Sequence, residues 1–141
     1  MPGNKVYKLN QIKDKFLKFW YFGDFGQFDY NLKLADKNLV EAKILFDYKQ
    51  YLLGYQALLR SDDYYQKVKP ALKLAQTHNK DVSDKKTLLS QASQKHVEEL
   101  MKMKKDVPQD FNWSPEKSPS TNLNLWQAID NSIKIRKNIY D

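Results

Sequence analysis

Residues 28–46 read FDYNLKLADKNLVEAKILF, and the spacing of their apolar members decides the fold class. Phe28, Leu32, Ala35, Leu39, Ala42 and Phe46 recur at alternating intervals of four and three, which puts them on one stripe of an α-helix. So regular a stripe is the seam of a helix packed along a nearly antiparallel partner. Just upstream, Gly23 can close a preceding helix, and Asp24 with Gln27 has the spacing of a capping box. The seam therefore predicts a helix over 25–47.

Working outward, Leu9, Ile12, Phe16 and Phe19 or Trp20 make an apolar stripe among Lys8, Lys13, Lys15 and Lys18, predicting an amphipathic helix over 7–21. Past Phe46 the seam loses phase at Lys49 and resumes at Leu52, Tyr55 and Leu59, so a short connection is expected over 47–50. The helix that follows, over 51–77, carries Tyr65, Val68, Leu72 and Ala75, with Pro70 kinking it. After a turn at 79–82, Ser83 or Asp84 caps a helix over 84–106 with Leu89, Ala92, His96, Leu100 and Met103 facing inward.

Pro108, Pro115 and Pro119 make 108–121 an extended strap rather than a helix, anchored to the bundle by Phe111 and Trp113. Thr121 or Asn122 caps a last helix over 122–139. There Leu125, Trp126, Ile129, Ile133 and Ile139 oppose the polar stripe of Asn124, Gln127, Asn131, Lys134 and Asn138. Residues 1–141 thus read as a single all-α domain, an antiparallel bundle of about five helices. Its tail folds back onto the bundle with Trp113 and Trp126 largely buried.

Composition narrows the function classes. Hydrophobic residues make up 41% of the 141, too many for a disordered polyelectrolyte, and a chain of this length can bury a core. The net charge is +7, yet of 24 basic residues only Arg60 and Arg136 are arginine. Readers of bases and phosphates rely on arginine's bidentate fork, so a lysine-rich surface suggests solubility or loose attraction to anionic polymers first. With no cysteine there is no disulfide, thiol catalysis or thiolate metal site. No apolar run reaches the ~18 residues of a membrane span, and the start lacks the features of a signal peptide.

No motif carries catalytic chemistry. Asp24-Phe25-Gly26 spells the metal-binding triplet of protein kinases, but no glycine-rich loop or catalytic-loop motif accompanies it. His78 and His96 form no paired ligand set, and His96 reads as a hydrogen-bonded structural histidine, with Glu99 a weak metal partner. Asp62-Asp63 and Glu98-Glu99 are neighbours in helices, pointing about 100° apart, and make no acid/base couple. Asp62 and Asp63 are instead candidates to stabilise a helix start. Phe19, Trp20, Tyr21, Phe22, Phe25, Phe28 and Tyr30 cluster as core packing or as a stacking surface. Lys8, Lys13, Lys15, Lys18, Lys102, Lys104 and Lys105 are the candidate contacts for an anionic polymer.

Three stretches together carry a family resemblance. Pro2-Gly3-Asn4-Lys5-Val6-Tyr7-Lys8-Leu9 opens the first predicted helix, Leu32-Lys33-Leu34-Ala35-Asp36-Lys37-Asn38-Leu39-Val40-Glu41-Ala42-Lys43 spans the seam, and His96-Val97-Glu98-Glu99-Leu100 lies in the fourth. Over residues 2–108 the chain resembles a bacterial family of helical, extracytoplasmic domains of unknown function, usually preceded by a membrane segment. A Phe-Gly-Asp-Phe-Gly turn departs from that family's commoner Thr-Phe-Asp-Pro-like one. The resemblance implies a location outside the membrane, with an anchor in the full-length protein, and brings no catalytic residues; a native start at Met1 would instead leave a cytoplasmic protein. The reading of the whole is a non-enzymatic interaction or spacer domain without cofactor, meeting a protein partner or cell-envelope component. The alternative is a basic helical protein that binds nucleic acid or another anionic polymer.

Overall fold

The computed structural model describes residues 23–138, which are mostly helical; the predicted helix over 7–21 and Ile139 lie outside that range. The elements in order are α1 (Asp24–Asp47), α2 (Tyr51–Gln66), α3 (Val68–Thr77), α4 (Ser83–Asp106), β1 (Asp110–Trp113), β2 (Thr121–Asn124) and α5 (Leu125–Lys137).

The α1 seam is where its spacing put it, with Phe28, Leu32, Ala35, Leu39, Ala42 and Phe46 all buried. The helix starts one residue early, so Asp24 lies inside it. Gly23, at φ 83°, is the cap residue, and no side chain caps the end. Lys49, at φ 59°, closes the turn into α2. Ala35 and Ala42 are fully buried. Leucine at either position is expected to overpack the seam and destabilise by about 1 to 3 kcal/mol, read from denaturant unfolding.

The helix expected over 51–77 is two helices broken at Lys67. Pro70 has no N–H to offer the carbonyl four residues back, at Gln66, and its ring crowds that group, so the break falls there rather than at the proline itself. The inward face of α2 is also corrected. It is Gly54, Ala57, Leu58, Ser61, Asp62 and Tyr65, while Leu59 is 43% exposed. Asp62 and Asp63 sit near the end of α2 and do not stabilise a helix start. Gly54 lies so close to α1 that an added Cβ would sit 2.5 Å from a Phe46 ring carbon. Gly54→Ala is expected to lower the melting temperature in spite of alanine's better helix propensity.

At α4 the cap residue is Val82, not Ser83 or Asp84. Asp81 reaches forward instead, accepting hydrogen bonds from the Ser83 backbone N–H (3.0 Å) and hydroxyl (2.7 Å). The strap holds extended backbone as expected, but it also pairs. β1 and β2 form an antiparallel hairpin in which Phe111 faces Leu123 and Trp113 faces Thr121. Thr121 and Asn122 are therefore strand residues, and Asn124 caps α5 by accepting from the Gln127 N–H at 2.9 Å.

The tail packs back through Phe111, whose ring meets Tyr51 at 5.2 Å, and through the fully buried Leu125 and Ile129. The two tryptophans do not follow. Trp113 is 41% exposed and Trp126 39%. Trp113 lies at the hairpin end away from α5. Trp126 stands one residue, about 100°, from the inward Leu125, so its indole N–H reaches only the Val107 carbonyl, at 3.1 Å, beneath the Lys104 amine.

Cross-contacts give the helix directions. Ser61 meets Ala35, Arg60 meets Glu41 and Gly54 meets Phe46, so α1 and α2 are antiparallel. Lys85 meets Asp29 and His96 meets Asp36, so α4 runs parallel to α1. Lys104 meets Asp130 and Ser93 meets Arg136, so α5 is antiparallel to α4. The apolar core has two parts, one around Phe46, Leu58, Leu100, Leu125 and Ile129 and the other around Phe28, Tyr65, Val68, Leu72 and Leu89.

Candidate functional site

Between those two parts lies a polar layer centred on Arg136, whose side chain is fully buried. A buried guanidinium must spend its donors on fixed acceptors. Nη1 donates to Asp62 Oδ1 at 2.5 Å and to the Ser132 carbonyl at 3.1 Å, Nη2 to Ser61 Oγ at 2.7 Å, and Nε to His96 Nδ1 at 3.1 Å. Its Cζ lies 4.8 Å from the centre of the Tyr65 ring. Three serine hydroxyls close the remaining bonds. Ser61 donates to the Ala35 carbonyl, Ser132 to Asp62 Oδ2 and Ser93 to the Arg136 carbonyl, at 2.7, 2.6 and 2.7 Å. The layer ties α1, α2, α4 and α5 together.

His96 is the hydrogen-bonded structural histidine expected from its position. Because Nδ1 accepts from Arg136, the ring proton sits on Nε2, which faces Asp36 Oδ1 at 2.5 Å. Burial pushes the Asp62 carboxyl above its ordinary value, and the Arg136 charge and the Ser132 hydrogen bond pull it back. Both ring nitrogens of His96 and both oxygens of Asp62 are engaged within this network.

Asp36, half-exposed, leads from this layer to an open groove of about 510 Å³ between α1 and α4. Leu39, Val40, Leu88, Ala92 and Met103 make most of its lining apolar, with Lys43, Lys95 and Glu99 among its polar members. Val40, 57% exposed, and Leu88, 43%, stand open at its mouth. Here α1 and α4 touch far less closely than α1 and α2 do.

The other residues singled out in the sequence do not converge. Lys102 is paired with Glu99 at 2.9 Å and holds that carboxyl below its ordinary value; Lys104 is paired with Asp130 at 2.8 Å; Lys105 is exposed. Lys8, Lys13, Lys15 and Lys18 lie outside the described residues, as do Phe19, Trp20, Tyr21 and Phe22. Phe28 and Tyr30 are buried, and Phe25 packs against the core cluster that holds Phe28. Among the described residues no three His, Asp or Glu side chains gather as a metal set, and no helix is long and apolar enough to cross a membrane.

Sequence reading missed Ser61, Asp62, Ser132 and Arg136 as core residues. The signal was present, because Leu125, Ile129, Ser132 and Arg136 follow intervals of four, three and four. Comparison with protein-family models, curated proteins and solved structures finds no match.

Proposed function

We propose that this chain is a non-enzymatic helical interaction domain whose α1–α4 groove receives an amphipathic helix. The observation that carries the reading is the contrast between its two polar and apolar features. The reactive groups that converge are buried and spent on one another, whereas the open α1–α4 groove is mostly apolar and flanked by exposed Val40 and Leu88. A groove between helices that presents aliphatic side chains is the form that helix-in-groove recognition uses. Pairing of Lys102 and Lys104 with local carboxylates weighs against the polyanion reading. A helix over 7–21 would complete the antiparallel bundle.

The resemblance over residues 2–108 supports a place of action outside the membrane, against a protein or cell-envelope component. Recovery of the native protein in the cytosolic fraction of its source would contradict that placement.

The chain carries an amphipathic segment of its own, so the binding test uses the full chain with Leu9→Asp and Ile12→Asp. A labelled synthetic peptide of residues 4–22 is expected to bind it at micromolar concentration and to lose that binding when Leu88→Asp is added. Absence of binding, or instead a salt-sensitive complex with an oligonucleotide through Lys102, Lys104 and Lys105, overturns the reading.

A further inference from the structure

One charge of the α1–α4 groove is fixed in place when the groove fills. Asp36 stands about midway along it, level with His96, whose Nε2–H donates to Asp36 Oδ1 at 2.5 Å. His96 is buried and held on its other side by the Arg136 Nε–H. A short side chain is thus anchored at the groove wall by bonds that run into the core. The Asp36 side chain is half-exposed, and its second oxygen, Oδ2, takes no hydrogen bond among the described residues. One turn further along α1, Leu39 and Val40 stand beside it, and Ala92 lies on the α4 wall.

The other charged residues of the lining are built differently. Lys43, Lys95 and Glu99 have longer, flexible stems that lie along apolar surface while the head stays in water. Two of the three also have local partners, Lys43 in Asp47 and Glu99 in Lys102. A purely apolar helix laid in the groove would cover Asp36 without replacing its water, and a charge buried without a partner is costly. A helix that brings a cation to Oδ2 avoids that cost and forms a charge-assisted hydrogen bond between low-dielectric walls.

We infer that the helix received by the groove carries one lysine or arginine on its apolar face, paired with Asp36 Oδ2, so that Asp36 is the residue by which the groove selects among amphipathic helices. This inference rests on the reading of the groove as a helix receptor. The selection works by penalty as much as by attraction, because a helix with an apolar or acidic residue at that position leaves the carboxylate stranded.

The test uses the Leu9→Asp/Ile12→Asp chain and synthetic amphipathic peptides about as long as the α4 wall from Leu88 to Met103. Each carries a single lysine at a different position of the apolar face, beside lysine-free and glutamate versions. At one position lysine is expected to bind at least about tenfold tighter than the lysine-free peptide, the effect of one hydrogen bond between charged groups. That advantage is expected to vanish in Asp36→Asn, whose amide oxygen can still accept from His96. No advantage at any position, or one that survives Asp36→Asn, overturns the inference, while binding of the lysine-free peptide leaves the receptor reading standing. Binding of no peptide, the labelled 4–22 peptide included, overturns both. Tighter binding of a glutamate peptide, lost in Lys95→Met, assigns the selecting charge to Lys95 and overturns the inference. A second measurement needs no variant at Asp36. Carbodiimide activation joins a carboxyl to a touching amine as an amide, the water going to the reagent as its urea. The peptide lysine is expected to cross-link to Asp36; cross-links to Asp47 or Glu99 alone overturn the inference.

Discussion

Replacing Arg136 by methionine is expected to destabilise the chain by about 3 to 5 kcal/mol at neutral pH, the effect of removing one partner from a buried ion pair. Methionine has a similar volume and leaves little void. The loss comes instead from Asp62, which stays buried without its counter-ion, and from Ser61 and His96 Nδ1, which lose a donor. The pH dependence has a definite sign. Burial already holds the Asp62 carboxyl above its ordinary 3.8, and removing the Arg136 charge pushes it higher. A folded state that binds the proton more tightly than the unfolded state loses stability as pH rises through the window between those two values. The deficit of Arg136→Met is therefore largest at neutral pH and shrinks as the solution is acidified toward the ordinary carboxylate range. Adding Asp62→Leu is expected to recover much of the stability at neutral pH, because the pair is then replaced rather than broken. Denaturant midpoints for the two variants across pH check both statements. A single variant as stable as the parent would show that the layer does not hold the helices together.

Truncation after Val107 is expected to abolish cooperative unfolding. It removes Leu125 and Ile129, both fully buried, at about 1.5 to 3 kcal/mol each. It also removes Arg136 and so adds the uncompensated Asp62. Together these losses are comparable to the ~5–15 kcal/mol by which a whole domain is stable. A truncated chain with a sharp thermal transition near that of the parent would show that the tail is only appended. The exposed tryptophans are no evidence against the tail's role, because it is held by its aliphatic residues and by Arg136.

How much of this was legible depends on what each helix buries. The α1 seam was readable because Phe28, Leu32, Ala35, Leu39, Ala42 and Phe46 repeat at helical spacing, even though Asn31 and Asn38 are buried beside them. Along α2 the inward face mixes Leu58 and Tyr65 with Gly54, Ala57, Ser61 and Asp62, too broken a hydrophobic pattern to register, so the stripe was placed on the flank at Leu59. The same holds at the end of α5, where Ser132 and Arg136 occupy core positions in the guise of a polar face. The hairpin was hidden for another reason. Its strands have four residues each, too few to show alternation, and the prolines between them pointed only to extended chain. In the groove, Leu39, Ala92 and Met103 were legible as inward residues. That Val40 and Leu88 border an opening was not, because their exposure depends on the distance between two helices far apart in sequence.

The most direct measurement of the central claim is amide hydrogen exchange of α1 and α4 in the Leu9→Asp/Ile12→Asp chain, with and without saturating 4–22 peptide, beside the same chain carrying Val40→Asp and Leu88→Asp as well. Both added positions are exposed in the described bundle, so the bundle itself is expected to stay folded. If the groove receives an amphipathic helix, the peptide slows exchange along the groove walls, near Leu39 and from Leu88 to Met103, in the first chain and not in the second. Exchange that the peptide leaves unchanged in the first chain, or slowing that survives both added aspartates, would contradict the account.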